Sequence, residues 1–335
     1  MNERIAVVGA GSWGTTLANL LAQNGNEVRL WSYEDDVTAA INESGENAVY
    51  LPGIQLPGNL SATSDLGLAV EDAGVIVSVS PSQHVRTVMG EAAPRIRDDA
   101  LVVSASKGIE TRTLETMAEV LEDSLPHTKA RHHCFLSGPS FAAEVARKHP
   151  TAVTVASRDR NAARRTQELF QAAHFRVYTS HDVTGVELGG ALKNVMALAA
   201  GMVAGLGFGH NTMAALITRG LTELTRLALV MGGSERTLGG LSGMGDLILT
   251  CTGDLSRNRT VGVELGKGRT LREALAEMRQ VAEGVETTRA THALARREEI
   301  DMPIVAEVHA VLFEERSPGD AVRNLMLREP KPEFR

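Results

Sequence analysis

The stretch Ile5-Ala6-Val7-Val8-Gly9-Ala10-Gly11-Ser12-Trp13-Gly14 decides the fold. A β-branched apolar run leads into G-x-G-x-x-G, and a helical pattern carrying Leu17, Leu20 and Leu21 follows and stops at Gly25. Strand, glycine loop, helix is the context that a dinucleotide-binding fingerprint requires. Gly9 permits the tight turn, Gly11 lets backbone approach a pyrophosphate, and Gly14 lets the helix pack on the strand. The amides at the helix N-terminus then face the phosphates. The alternative is a glycine-rich βα turn without a ligand; the placement favours dinucleotide binding. Trp13 stands at this turn either to pack on the sheet edge or to cover a cofactor.

Outward from the loop the alternation continues. Short apolar runs at Glu27–Trp31, Val75–Val79, Leu101–Ser104, Cys134–Ser137, Ala152–Ala156 and Arg176–Thr179 are separated by amphipathic stretches. Such runs predict an α/β fold with a Rossmann-like parallel sheet covered on both faces and joined by right-handed crossovers. After Asp182 the strand pattern vanishes. Helices are expected at Gly185–Gly207, Thr212–Val230, Ser256–Leu265, Leu271–Met278, Thr287–Arg297 and Pro303–Glu314, with Pro303 in a first turn. The tail from Glu329, with Pro330 and Pro332, reads as frayed. The expected organisation is a dinucleotide-binding domain over residues 1–181 and an all-helical substrate domain over 182–335, with the active cleft between them. A length of 335 residues accords with two domains.

The formal net charge of −7 leaves no electrostatic footprint for nucleic acid, so an anionic ligand must be held by local positive groups. Cys134 and Cys251 cannot build a disulfide framework and lack metal-type spacing, so they read as reduced thiols, and no metal is expected. The strand pattern begins at Arg4 without a basic, apolar leader, and the apolar stretch Val195 to Phe208 is short for a membrane span. These features predict a soluble, cytoplasmic protein.

Three constellations of polar residues remain. The first is strand-end loops, where ligands bind in open α/β sheets: Ser104-Ala105-Ser106-Lys107-Gly108, Ser78-Val79-Ser80-Pro81-Ser82 and Ser137-Gly138-Pro139-Ser140-Phe141-Ala142. Lys107 could meet a substrate oxygen or stand as a surface lysine. The second is Lys193 within an otherwise apolar helix, whose small neighbours Gly189 and Gly190 are expected to leave room for a ligand beside a dehydrated ammonium. Its alternative is a snorkelling lysine at a helix contact. The third is Gly243-Met244-Gly245-Asp246 with Ser256-Arg257-Asn258. Ser256 is a good N-cap, and a helix start beside an arginine suits phosphate; a capped surface helix is the alternative. Past the second strand stand Ser32, Tyr33, Glu34 and Asp35, with neither a well-placed acid for a ribose nor an arginine clamp, so NAD and NADP both stay open.

Taken in order along residues 4 to 325, these motifs resemble those of the bacterial NAD(P)-dependent glycerol-3-phosphate dehydrogenases. The resemblance implies reduction of dihydroxyacetone phosphate to sn-glycerol 3-phosphate for phospholipid synthesis, by a homodimer. It implies Lys193 as the catalytic lysine, and Lys107, Gly138, Ser140, Lys193, Asp246, Ser256, Arg257 and Asn258 as substrate contacts. Ser12, Trp13, Lys107, Ala142, Arg257, Val281 and Glu283 match cofactor contacts, joined by Tyr33 and Tyr50. At Tyr33 the family often carries His or Arg instead. The rival readings are another two-domain dehydrogenase, of the 6-phosphogluconate or 3-hydroxyisobutyrate type, and a non-catalytic dinucleotide sensor.

Overall fold

The computed structural model describes residues 3–126, 128, 132–276, 278, 281–330 and 332–333. Its first half is an eight-stranded sheet in the order β3-β2-β1-β4-β5-β6-β7-β8. The strands are β1 (Arg4–Val8), β2 (Glu27–Trp31), β3 (Leu60–Thr63), β4 (Val75–Ser78), β5 (Leu101–Ser104), β6 (Cys134–Ser137), β7 (Thr151–Ser157) and β8 (Phe175–Ser180). Ile5, Val7, Leu30, Val75, Val77 and Val103 are all buried, as strands covered on both faces require. From β1 the chain moves outward to β2 and β3, then returns to the other side of β1 as β4. That reversal places a crevice outside the carboxyl ends of β1 and β4, the usual ligand position in such sheets.

Two features differ from the sequence reading. The sheet is not wholly parallel, because β7 runs antiparallel to β6 while β8 is parallel to β7. A buried apolar run carries no mark of its direction. The short edge strand β3, Leu60-Ser61-Ala62-Thr63, has too little apolar content to stand out.

After β8 the chain is helical. Helix Val183–Gly205 starts two residues before the expected Gly185, because the Asp182 carboxylate accepts the Gly185 amide at 2.8 Å and caps it. By length and composition it could cross a membrane, which corrects the expectation of a short apolar stretch, but 83% of its apolar window is buried inside the fold. Helices His210–Val230, Arg257–Gly266, Gly284–Arg297 and Pro303–Phe313 pack around it or on one another. Leu271–Ala276 is shorter than expected; its continuation touches residues outside those described. Among the described residues, helices Glu235–Leu238, Asp246–Thr252 and Pro318–Met326 and a π-helical turn at Leu241–Gly245 were not foreseen.

Helices Val183–Gly205 and Arg257–Gly266 meet backbone to backbone. A Cβ at Gly201 would overlap the Arg259 carbonyl, one at Gly205 the Val263 carbonyl, and one at Gly262 the Leu198 carbonyl. At Gly266 it would lie 2.5 Å from the Met202 carbonyl oxygen. Only glycine admits this approach at all four positions.

Candidate active site

Strands β1, β2, β4, β5 and β6 are parallel, so their terminal loops gather along one edge of the sheet. That edge and the helical half enclose a cleft of about 1200 Å³. Of the residues singled out in the sequence, Gly9, Gly11, Ser12, Trp13, Gly14, Tyr33, Tyr50, Lys107, Ser140, Ala142, Lys193, Ser256, Arg257, Asn258, Val281 and Glu283 line it. Gly138 and Asp246 stand behind its wall.

The glycine turn fits a dinucleotide. Gly9 has a φ of +124°, and a Cβ there would come within 3.0 Å of the Val79–Ser80 backbone. A Cβ at Gly14 would overlap the Gly9 carbonyl oxygen, whereas one at Gly11 would meet nothing within 4 Å. The turn is therefore closed towards the protein and open at Gly11, where the fingerprint puts the pyrophosphate. Trp13 lines the cleft, and its buried Nε1 has no hydrogen-bond partner among the described residues, a polar donor left for a ligand or water. Ser12 Oγ donates to the Tyr50 carbonyl at 2.6 Å and draws the Tyr50 loop to the helix start.

The sequence reading named one residue here without giving it a role. Glu34 lies on the cleft wall, with Oε1 accepting from Tyr50 Oη at 2.7 Å and Oε2 from Ser32 Oγ at 3.2 Å. The acid expected slightly beyond β2 is thus held in place on the cleft wall. Its distance from the strand end hid that role, because the partner that aims it is sixteen residues away.

The centre of the site is a carboxylate between two ammonium groups. Asp246 is fully buried, with Oδ2 accepting from Lys107 Nζ at 2.7 Å and Oδ1 accepting from Lys193 Nζ. Lys107 Nζ also donates to the Gly138 carbonyl at 3.2 Å, which accepts from Ser140 Oγ at 2.9 Å as well. Lysines from the sheet half and the helical half are thus tied by one aspartate. Burial pushes the Lys193 ammonium down to about 8; Asp246 opposes that fall and the Lys107 charge adds to it. A lysine so placed holds its proton at neutral pH yet can exchange it.

The expected room beside Lys193 is differently used. A Cβ at Gly189 would meet the Ser242 carbonyl at 2.6 Å, and one at Gly190 would overlap Ser137 Oγ. The glycines admit protein, bringing the Ser242–Gly243 turn and β6 against the helix, and the ammonium reaches the cleft from there.

Ser256 caps its helix, Oγ accepting the Arg259 amide at 3.3 Å and sharing a 3.0 Å hydrogen bond with Thr250 Oγ1. Arg257 follows, exposed at the cleft wall and making no hydrogen bond or ion pair with the described residues. The Asn258 carboxamide oxygen accepts the Gly284 amide at 2.9 Å, holding the next helix start beside this one. Glu283 accepts the Ser82 amide at 3.2 Å across the cleft; burial pushes its carboxyl up, and the Arg257 charge opposes the shift.

The comparisons agree with this geometry. Residues 4–163 match the family model described as NAD-dependent glycerol-3-phosphate dehydrogenase N-terminus. Residues 182–323 match the model of its C-terminus. The chain is 54% identical over 330 residues to glycerol-3-phosphate dehydrogenase [NAD(P)+] of Syntrophotalea carbinolica, covering 98% of this chain and 99% of that one. It is 52% identical over 331 residues to the enzyme of the same name from Myxococcus xanthus, covering 99% of each. The solved glycerol-3-phosphate dehydrogenase of Coxiella burnetii superposes with a TM-score of 0.94 at 42% identity, covering 98% of this chain and 99% of that one. With both halves matched and the cleft built as described, the chain belongs to the NAD-dependent glycerol-3-phosphate dehydrogenase family.

Proposed function

We propose that Lys193, held by Asp246, is the general acid with which this chain reduces dihydroxyacetone phosphate to sn-glycerol 3-phosphate, reversibly and with NAD(P)H. The observation that carries this reading is the buried Lys107–Asp246–Lys193 arrangement at the wall of a dinucleotide-sized cleft. When bound, NAD(P)H supplies a hydride to the substrate's carbonyl carbon. The residues that would hold it are Gly9, Gly11, Ser12, Trp13 and Gly14 at the pyrophosphate, with Tyr33, Tyr50, Ala142, Val281 and Glu283 along the cleft.

Charge develops on the carbonyl oxygen as the bond order falls, and Lys193 Nζ donates the proton that neutralises it. Its ordinary basicity is lowered by burial to about 8, so the proton is present at neutral pH and readily given. In the reverse direction the neutral amine takes the proton back. Asp246 fixes the amine's position, and Lys107 adds a second positive charge at the same oxygen. Arg257, the Ser256 hydroxyl and the amides at the start of the Arg257 helix hold the phosphate, with Asn258 setting the neighbouring helix. Holding the phosphate fixes the three-carbon chain against Lys193.

The chain acts on a small molecule, and no role for nucleic acid is proposed. A homodimer, a cytoplasmic location, supply of glycerophospholipid synthesis, and division into units 1–181 and 182–335 complete the reading. The test follows absorbance of the reduced nucleotide, as NADH or NADPH is consumed with dihydroxyacetone phosphate and as NAD+ or NADP+ is reduced with 6-phosphogluconate or 3-hydroxyisobutyrate. Oxidation of NAD(P)H with dihydroxyacetone phosphate is expected; turnover of 6-phosphogluconate or 3-hydroxyisobutyrate instead would favour the rival dehydrogenase, and turnover of none of the three would leave the sensor reading.

A further inference from the structure

Along the Trp31–Leu66 part of the cleft the described lining residues carry negative charge and no cation, with His84 on a neighbouring part of the wall. Strand β2 lies beside β1 with Trp31 opposite Val8, and the Gly9 amide donates to the Trp31 carbonyl at 3.1 Å. The loop after Trp31 is therefore the immediate neighbour of the pyrophosphate turn. In that position a dinucleotide-binding sheet meets the ribose of the adenosine, whose 2′ oxygen is a hydroxyl in NADH and a phosphate ester in NADPH. Among the described residues that line the cleft from Trp31 to Leu66 there is no Lys, Arg or His; Glu34 and Asp35 are there instead.

Glu34 is built into place. Tyr50 Oη and Ser32 Oγ each occupy one of its oxygens, at 2.7 and 3.2 Å. Tyr50 is itself tied to the pyrophosphate turn by Ser12 Oγ on its carbonyl. The carboxylate is thus positioned relative to the phosphate loop through two hydrogen bonds in series. Each of its oxygens has further lone-pair capacity for a hydroxyl donor, and an ionised carboxylate has no proton to offer a phosphate.

We infer that Glu34 selects the cofactor, accepting hydrogen bonds from the ribose diol of NADH and repelling the 2′-phosphate of NADPH, so that NADH binds more tightly although both can serve. The inference rests on the dehydrogenase reading above and sharpens it. Hydrogen bonds to an ionised carboxylate, with the like-charge repulsion added, correspond to a preference of about 10- to 100-fold.

The test is direct binding: dissociation constants of NADH and NADPH, by calorimetry or nucleotide fluorescence, for the wild type, Glu34→Gln and Tyr50→Phe, with melting curves confirming that each folds. The wild type is expected to hold NADH at least about 10-fold tighter than NADPH. Glu34→Gln should bring the two within a few-fold, chiefly by tightening NADPH. Tyr50→Phe keeps the charge but frees the carboxylate, and should weaken NADH while NADPH stays poor. A wild-type ratio near one overturns the inference, as does an unchanged ratio in Glu34→Gln. Binding of neither nucleotide by folded wild type would overturn the dehydrogenase reading itself, and this inference with it.

Discussion

Replacing Lys193 by methionine separates its chemical role from its cost to the fold. Burial lowers the Lys193 ammonium from 10.5 to about 8, and the side chain is only 12% exposed. At roughly 1.4 kcal/mol per pH unit, keeping that proton in the folded state costs about 3 kcal/mol at neutral pH. The folded pKa lies below the unfolded one, so between about pH 8 and 10.5 the unfolded chain binds the extra proton. Wild-type stability therefore gains about 3 kcal/mol from this group as pH rises through that window, and carries the full cost below it. Methionine has no such titration and leaves Asp246 paired with Lys107 at 2.7 Å. Lys193→Met should lose about 10²- to 10⁴-fold in turnover. Its stability relative to wild type should be higher at pH 7 than at pH 10.5 by about 3 kcal/mol. Urea unfolding of both proteins at several pH values, with nucleotide binding measured in parallel, reads both effects. A stability difference independent of pH would refute the argument that Lys193 is held protonated against burial, and near-normal turnover would remove it from the mechanism.

Arg257→Ala should weaken use of dihydroxyacetone phosphate by about 10- to 100-fold, the worth of charged hydrogen bonds. With unphosphorylated dihydroxyacetone the relative loss should be much smaller; equal losses in kcat/KM would place Arg257 elsewhere. Gly14→Ala sets a methyl against the Gly9 carbonyl, so it should cost about 1–3 kcal/mol or more and weaken NADH binding, checked by melting and titration. Asn258→Ala leaves the buried Gly284 amide without its 2.9 Å acceptor and should destabilise by about 1–3 kcal/mol, read by urea unfolding.

The glycine loop was legible because Gly9 and Gly14 answer backbone requirements that no other residue meets. The strands from β4 to β6 were equally plain, because burial on both faces demands continuous apolar runs. Strand β3 was not, since an edge strand of four residues needs only Leu60 and Ala62 inside. The direction of β7 was hidden for the same kind of reason: side chains record which face is buried, not which way the chain runs. Lys193 was conspicuous as a charge in an apolar helix, but its pairing with Asp246 and Lys107 brings together three segments distant in sequence. Glu34 was visible as an acid past β2, but its anchoring was not, because that depends on Tyr50, whose loop begins beyond an intervening helix.

The four-glycine seam between the helices of Lys193 and Arg257 works as a calliper. One jaw carries Lys193, the proposed proton donor, and the other Arg257, the proposed phosphate clamp. Because the jaws touch through main chain, no rotamer can relax to widen or narrow the gap. Here the span is ruled in peptide geometry, and a substrate one carbon longer or shorter has no soft wall to push against. Chain length would then be recognised without a single residue touching the middle of the molecule.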